Sequence, residues 1–132
     1  MDKLGIFLNF NGNCADVLQF YTKVFDTTPG TVTKFGDTPD NQIPGFENKI
    51  MYADIMIGGE NLMMSDAPPN YNHIVGNNFC MNYSNTNIEK LNNIFAALSE
   101  GGTIVMPMQK TFFSELFGMV TDKFGITWNV MA

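Results

Sequence analysis

The sequence predicts an α+β fold made of two copies of a βαβββ module. Three observations carry this expectation: an ungapped internal repeat, one apolar helical stripe in each copy, and a strand hairpin after each stripe. "LNFNGNCADVLQFYTKVFDTTPGTV" from Leu8 aligns with "MNYSNTNIEKLNNIFAALSEGGTIV" from Met81. Asn9 falls on Asn82, Phe10 on Tyr83, Leu18 on Leu91 and Val32 on Val105.

The elements follow in order. Each copy opens on a short strand, "LGIFLNFN" from Leu4 or "NNFCMNYS" from Asn77. A polar turn then supplies a helix start, with Asn13 and Asp16 in the first copy and Thr86 and Glu89 in the second at capping-box spacing. Cys14, Val17, Leu18, Tyr21 and Phe25 form one stripe, and Ile88, Leu91, Phe95 and Leu98 the other. Pro29 and Gly30 stop the first helix, and Gly101 and Gly102 the second, before the β-rich runs "TVTKF" and "TIVMPM". The hairpins are "KIMYADIMIGGENLMMSD", turning at Gly58 and Gly59, and "LFGMVTDKFGITWNVMA", turning at Lys123 to Gly125. "GDTPDNQIPGFEN" and "SDAPPNYNHIVGNN" have loop composition. The expected organisation is one domain over residues 1–132, with modules at about 1–66 and 76–132 joined by a loop at 67–75.

Composition narrows the function. A 132-residue chain can bury a sizeable core without disulfides, and Cys14 and Cys80 are expected as reduced thiols. No apolar run reaches membrane-span length and the start lacks an export signal, so a cytoplasmic location is expected. Seven basic against thirteen acidic residues give a net charge of -6, which disfavours a nucleic-acid partner.

Strand alternation proposes which side chains share a face. Met51, Ala53, Ile55 and Ile57 form an apolar row, while Ile50, Tyr52, Asp54 and Met56 mix a phenol and a carboxylate with apolar groups. On the last strand Asn129 goes with Thr127 and Met131, and Trp128 and Val130 face a helix as core. Asn9 and Asn82 either rim a cavity or satisfy backbone groups at strand ends. Gln109, Phe112 and Phe113 lie on a loop that suits either a small organic ligand or a dimer seam. Glu115 stands near a strand start. His73, the sole histidine, sits in a loop and reads first as a surface group. Cys80 reads as a buried, inert thiol, and Ser65 and Ser114 lack an identifiable base.

The phrases "FLNFNGNCADVLQFY", "KIMYADIMIGG", "MMSDAPP", "FAALSEGG", "MPMQKTFF" and "FGMVTDKFGITWNVM" resemble, in order and spacing, the PhnB-like branch of the vicinal oxygen chelate superfamily. That superfamily includes glyoxalase I, extradiol dioxygenases and fosfomycin- and bleomycin-resistance proteins. The resemblance implies a curved, mostly antiparallel sheet around a cavity, usually completed by a homodimer. Some proteins of this branch are labelled ubiquinone-pathway methyltransferases, yet no Gly-rich strand-to-helix turn for a nucleotide-like donor is present.

Metal-using relatives hold a divalent ion with imidazole and carboxylate donors. A phrase such as "IMHAEL" places a histidine where this chain has Tyr52, and "DPDGHKLEL" places a glutamate where it has Asn129. A phenol and a neutral amide are poor replacements. The expectation is therefore a metal-free protein binding a small organic molecule in a dimeric cavity. Its ligand-binding residues are expected to be Tyr52, Asp54, Asn129, Asn9, Asn82, Gln109, Phe113 and Glu115. The alternative is a divalent-metal-dependent lyase, isomerase or dioxygenase.

Overall fold

A computed structural model describes all of residues 1–132. The chain forms two compact units, Met1–His73 and Ile74–Ala132. The first runs β1 (Ile6–Phe10), α1 (Cys14–Val24), β2 (Pro29–Lys34), β3 (Ile50–Ile57) and β4 (Glu60–Asp66). The second repeats the plan with β5 (Met81–Ser84), α2 (Ile88–Ser99), β6 (Thr103–Gln109), β7 (Phe117–Thr121) and β8 (Thr127–Met131). Two short 3-10 turns, Phe35–Asp37 and Pro39–Asn41, lie in the β2–β3 connection.

Each unit holds one four-stranded sheet, ordered β1-β4-β3-β2 in the first and β5-β8-β7-β6 in the second. The first strand of each unit lies parallel to the last, β1 to β4 and β5 to β8, while the other pairs are antiparallel. Each helix covers one face of its own sheet. Helix α1 buries Cys14, Val17, Leu18 and Tyr21, and α2 buries Leu91, Ile94, Phe95 and Leu98. Facing them are Leu8, Phe10, Ala53, Ile55, Leu62 and Met64 in one unit and Met81, Tyr83, Val120, Trp128 and Val130 in the other. Each Val, Leu, Ile, Phe or Met among them contributes about 1.5–3 kcal/mol on burial.

Local details depart from the pattern reading. Asn13 caps nothing with its side chain, and the second helix is capped by Asn87, which accepts from Lys90 N–H, not by a Thr86–Glu89 box. Ile88 is 39% exposed and Ile94 takes its place in the stripe. Helix α1 ends at Val24, before Pro29, where Asp26 adopts a left-handed φ of 49°. At the start of β3 it is Ile50, 2% exposed, that is buried, while Met51 is only half-buried. A register shift against β2 between Thr33 and Lys34 causes this exchange, because a bulge displaces alternation by one residue. Cys80 precedes β5 and is exposed, contrary to the expected buried thiol.

A buried aspartate ties elements together within each unit. Asp66 accepts the Cys14 and Ile50 backbone N–H groups at 2.9 Å each, joining the helix start to two strands. Asp122 accepts Phe124 and Ile126 N–H at 2.9 and 3.1 Å, and Trp128 Nε1–H at 3.0 Å, fixing the β7–β8 turn. Asp66 satisfies two buried donors, and Asp122 one buried and two part-buried donors.

Candidate functional site

In the first unit the helix-free face of the sheet gathers several predicted residues. Asn9 pairs with Ser65 across β1 and β4, and Tyr52 with Thr33 across β3 and β2. Tyr52 and Asp54 stand two apart on β3, flanking the buried Ala53. The Tyr52 hydroxyl donates to Asp54 Oδ2 at 2.7 Å, and Thr31 N–H donates to Oδ1 at 2.8 Å. That amide is free of the ladder because β2 is bulged between Pro29 and Val32. The Asn61 amide also reaches both Tyr52 and Asp54.

These contacts set the charge of the face. The Thr31 amide and then the Tyr52 hydroxyl hold the Asp54 carboxyl below its ordinary range, outweighing the opposing effect of burial. Donation to Asp54 pushes the Tyr52 phenol up, with burial and the Asp54 charge adding to it. Asp54 is therefore an anion and Tyr52 a neutral phenol at neutral pH. No basic side chain is among the partners of Asp54. The Phe7 ring lies 6.2 Å from the Tyr52 ring at 39°, and Met63 pairs with both Phe7 and Asp54 in register.

Beside this network, Ser65 Oγ–H donates to Asn9 Oδ1 at 3.1 Å. His73 Nε2 lies 2.9 Å from the Asn9 carbonyl, which only accepts, so Nε2 carries the proton. His73 thus closes backbone polarity at the β1 edge.

The second unit places Asn82 opposite Asn129, Asn129 opposite Met119 and Met119 opposite Met106. Asn129 Nδ2 donates to Cys80 Sγ at 3.2 Å, while Asn129 Oδ1 is buried without a partner. Gln109, expected on a loop, instead ends strand β6 and pairs with Phe117, while Phe113 packs edge-on against Phe117 at 5.2 Å. Glu115 lies exposed in the loop before β7 and joins no cluster.

The structure therefore brings together Asn9, Tyr52 and Asp54 in one unit, and Asn82 with Asn129 in the other. Ser65, Asn61, Thr31 and Phe7 are the participants that sequence reasoning passed over. Period-two alternation in "ENLMMSD" puts Asn61, Met63 and Ser65 on one face and was the available signal for two of them. Thr31 acts through its backbone, which a side-chain pattern does not reveal. As for a metal, nowhere do three or more His, Cys, Asp or Glu side chains converge. A phenol at Tyr52, bound to Asp54, and a neutral amide at Asn129 stand where the metal-using relatives have an imidazole and a carboxylate, so their donor set is not matched.

Comparisons with known proteins agree with this architecture. A family described as 3-demethylubiquinone-9 3-methyltransferase matches residues 2–131. Protein YjdN of Escherichia coli (strain K12) is 31% identical, with 96% of this chain and 92% of that protein covered. The crystal structure of PA1353 from Pseudomonas aeruginosa superposes with a TM-score of 0.86 at 33% identity, covering 98% of this chain and 97% of that one. A PhnB protein from Bacillus cereus gives 0.83 at 27% identity and 98% coverage of both chains. A glyoxylase/bleomycin resistance protein/dioxygenase domain from Frankia sp. EAN1pec shares the fold, at 14% identity and a TM-score of 0.61, over 99% of this chain and 96% of that one. The chain belongs to the PhnB-like family described as 3-demethylubiquinone-9 3-methyltransferase.

Proposed function

We propose that this protein is a cytoplasmic homodimer that binds a small organic molecule without a metal, and that the ligand carries a positive charge facing Asp54. The observation that carries this reading is the Asp54 carboxylate itself. It is held ionised by Thr31 and Tyr52, has no basic partner, and lies on a face shared with Phe7, Tyr52 and Met63. An anion among aromatic and thioether groups suits an organic cation, through charge and through the ring faces. The chain's acidic balance adds a weaker attraction of the same sign.

Metal-assisted lysis, isomerisation or oxygenation fits less well, because a neutral phenol and a neutral amide stand at positions 52 and 129 in place of an imidazole and a carboxylate. Methyl transfer from a nucleotide-like donor finds no Gly-rich strand-to-helix turn in either unit. Catalysis is not part of the proposal.

The test is thermal unfolding of the purified, chelator-treated protein with nickel, zinc, manganese and iron salts, and with aryl and alkyl ammonium compounds beside neutral isosteres. Ammonium compounds are expected to raise the midpoint by mass action and Asp54→Asn to abolish the gain. Stoichiometric, tight metal binding would overturn the metal-free reading. Equal stabilisation by the neutral isosteres would overturn the cationic one.

A further inference from the structure

We propose that the ligand's cationic group carries no N–H, as in a trimethylammonium, a choice that rests on the cationic reading above and narrows it to one class. Tyr52 makes the selection against primary ammonium and guanidinium groups by occupying the Asp54 carboxylate. An ionised carboxylate only accepts, through about four lone-pair sites on two oxygens. Thr31 N–H fills one site on Oδ1 at 2.8 Å, and the Tyr52 hydroxyl fills one on Oδ2 at 2.7 Å. The Asn61 amide reaches the same carboxylate from β4. Three donors of the chain itself thus address the group that the ligand meets.

Backbone geometry fixes each of them. The bulge between Pro29 and Val32 frees the Thr31 amide for Asp54. Tyr52 stands two residues before Asp54 on β3, and Asn61 pairs with Met56 two residues after it, so all share one face. Gly30 keeps the approach of β2 close, because a Cβ there would meet Asp54 Oδ1. The carboxylate therefore presents its charge while few of its acceptor sites stay open.

Cations differ in what they ask of such a group. A guanidinium fork takes both oxygens at once through two parallel N–H bonds. A primary ammonium is strongly hydrated and exchanges that water for acceptors of its three N–H donors. Either one competes with Tyr52 or Thr31 for a charge-assisted hydrogen bond. A quaternary ammonium needs no acceptor and is held by charge and by ring faces.

The rest of the face supplies those surfaces. The Phe7 ring, on a residue 47% exposed, lies tilted at 39° to the Tyr52 ring with centroids 6.2 Å apart. Met63 stands between Phe7 and Asp54 in register, and Met56, 51% exposed, follows Asp54 on the same face. Carbon and sulfur surfaces of this kind suit N-methyl groups better than N–H donors. Donation from the Tyr52 hydroxyl to a carboxylate also shifts electron density into the ring, which strengthens its attraction for a cation on its face.

Isothermal titration of the full chain at neutral pH tests the selection with four probes: choline, ethanolamine, guanidinoethanol and the neutral analogue in which carbon replaces the choline nitrogen. Choline is expected to bind the wild type about tenfold tighter than ethanolamine or guanidinoethanol, and the neutral analogue is expected not to bind. Tyr52→Phe keeps the ring and frees Oδ2, so the preference of choline over ethanolamine should fall to about onefold. Phe7→Leu keeps an apolar side chain without the ring and should weaken choline about threefold with ethanolamine unchanged. Each variant is read as a ratio of two ligands on one protein, so a general loss of stability cancels. Ethanolamine or guanidinoethanol binding the wild type as tightly as choline, or an unaltered preference in Tyr52→Phe, would overturn the selection while leaving the cationic reading standing. Equal binding of the neutral analogue, or no binding of any of the three cations, would overturn the cationic reading and the selection with it.

Discussion

The two units share one plan and differ where the plan leaves freedom. Their helix-facing residues are interchangeable in kind, with Leu8 and Met81, Ala53 and Val120, or Met64 and Trp128 in equivalent places against α1 or α2. Their helix-free faces are not. The first carries Thr33, Tyr52, Ser65 and Asn9 with Asp54 alongside, and the second carries Met106, Met119, Asn129 and Asn82. Packing against a helix constrains volume and polarity at every core position. A face without a helix is constrained only by what it meets, so divergence there carries the functional information.

The largest contrast expected between the units is in their thiols. Burial, with the Asp66 charge adding to it, pushes the Cys14 thiol up to about 12, whereas Cys80 is exposed. In the native protein a thiol reagent at pH 8 should label Cys80 at least about a thousandfold faster than Cys14, since attack needs an accessible thiolate. Two equally fast thiols would contradict the packing of α1 described above.

The next largest effect compares the aspartate ties. Asp122→Ala strands three donors and Asp66→Ala two. Expected losses are about 3–5 kcal/mol and about 2–4 kcal/mol in urea unfolding, at 1–3 kcal/mol for each orphaned buried group after partial relaxation. The reverse order would mean that the β7–β8 turn recruits water where the α1 start does not.

A smaller change sharpens the comparison at the ligand face. A Cβ on Gly30 would meet Asp54 Oδ1, so Gly30→Ala should displace the carboxylate. The expected cost is about 1 kcal/mol of stability from the lost Thr31 bond, with loss of any ammonium-dependent thermal shift. Retention of that shift would remove Asp54 from the site.

The smallest effect is that of pH. The Asp54 carboxyl is depressed, so its contribution is present above its unfolded value of about 3.9 and is lost as pH falls through the lower folded value. The Tyr52 phenol is raised, so its contribution is full below about pH 10 and is lost as pH rises through the folded value. Between those limits the stability difference between wild type and Asp54→Asn should be flat, and small because both groups meet solvent. A slope near neutrality in that difference would contradict the assignment of charges.

The fold was legible because repetition and periodicity are properties of the chain. The stripe through Leu91, Phe95 and Leu98 and the hairpin ending in Trp128 and Val130 lie where the sequence predicts them. Bulges are not periodic, and this explains the Ile50 and Met51 exchange as well as the unforeseen Thr31 amide. Competition among neighbouring polar residues moved the second cap from Thr86 to Asn87. Tyr52 and Asp54 were legible as a face and Asn9 as a separate candidate, but Ser65 and Asn61 became visible only through their partners across strands. Glu115, read as near a strand start, stands exposed just before β7, which begins at Phe117.

The central claim is that the first unit's helix-free face, with Asp54 at its centre, is the ligand face. Backbone amide chemical shifts of isotope-labelled protein, titrated with the ammonium compound that gives the largest thermal shift, test it most directly. The account predicts saturable movement of Phe7, Thr31, Tyr52, Asp54 and Asn61. Movement confined to Asn82, Met119 and Asn129 in the second unit, with the first unit unchanged, would contradict it.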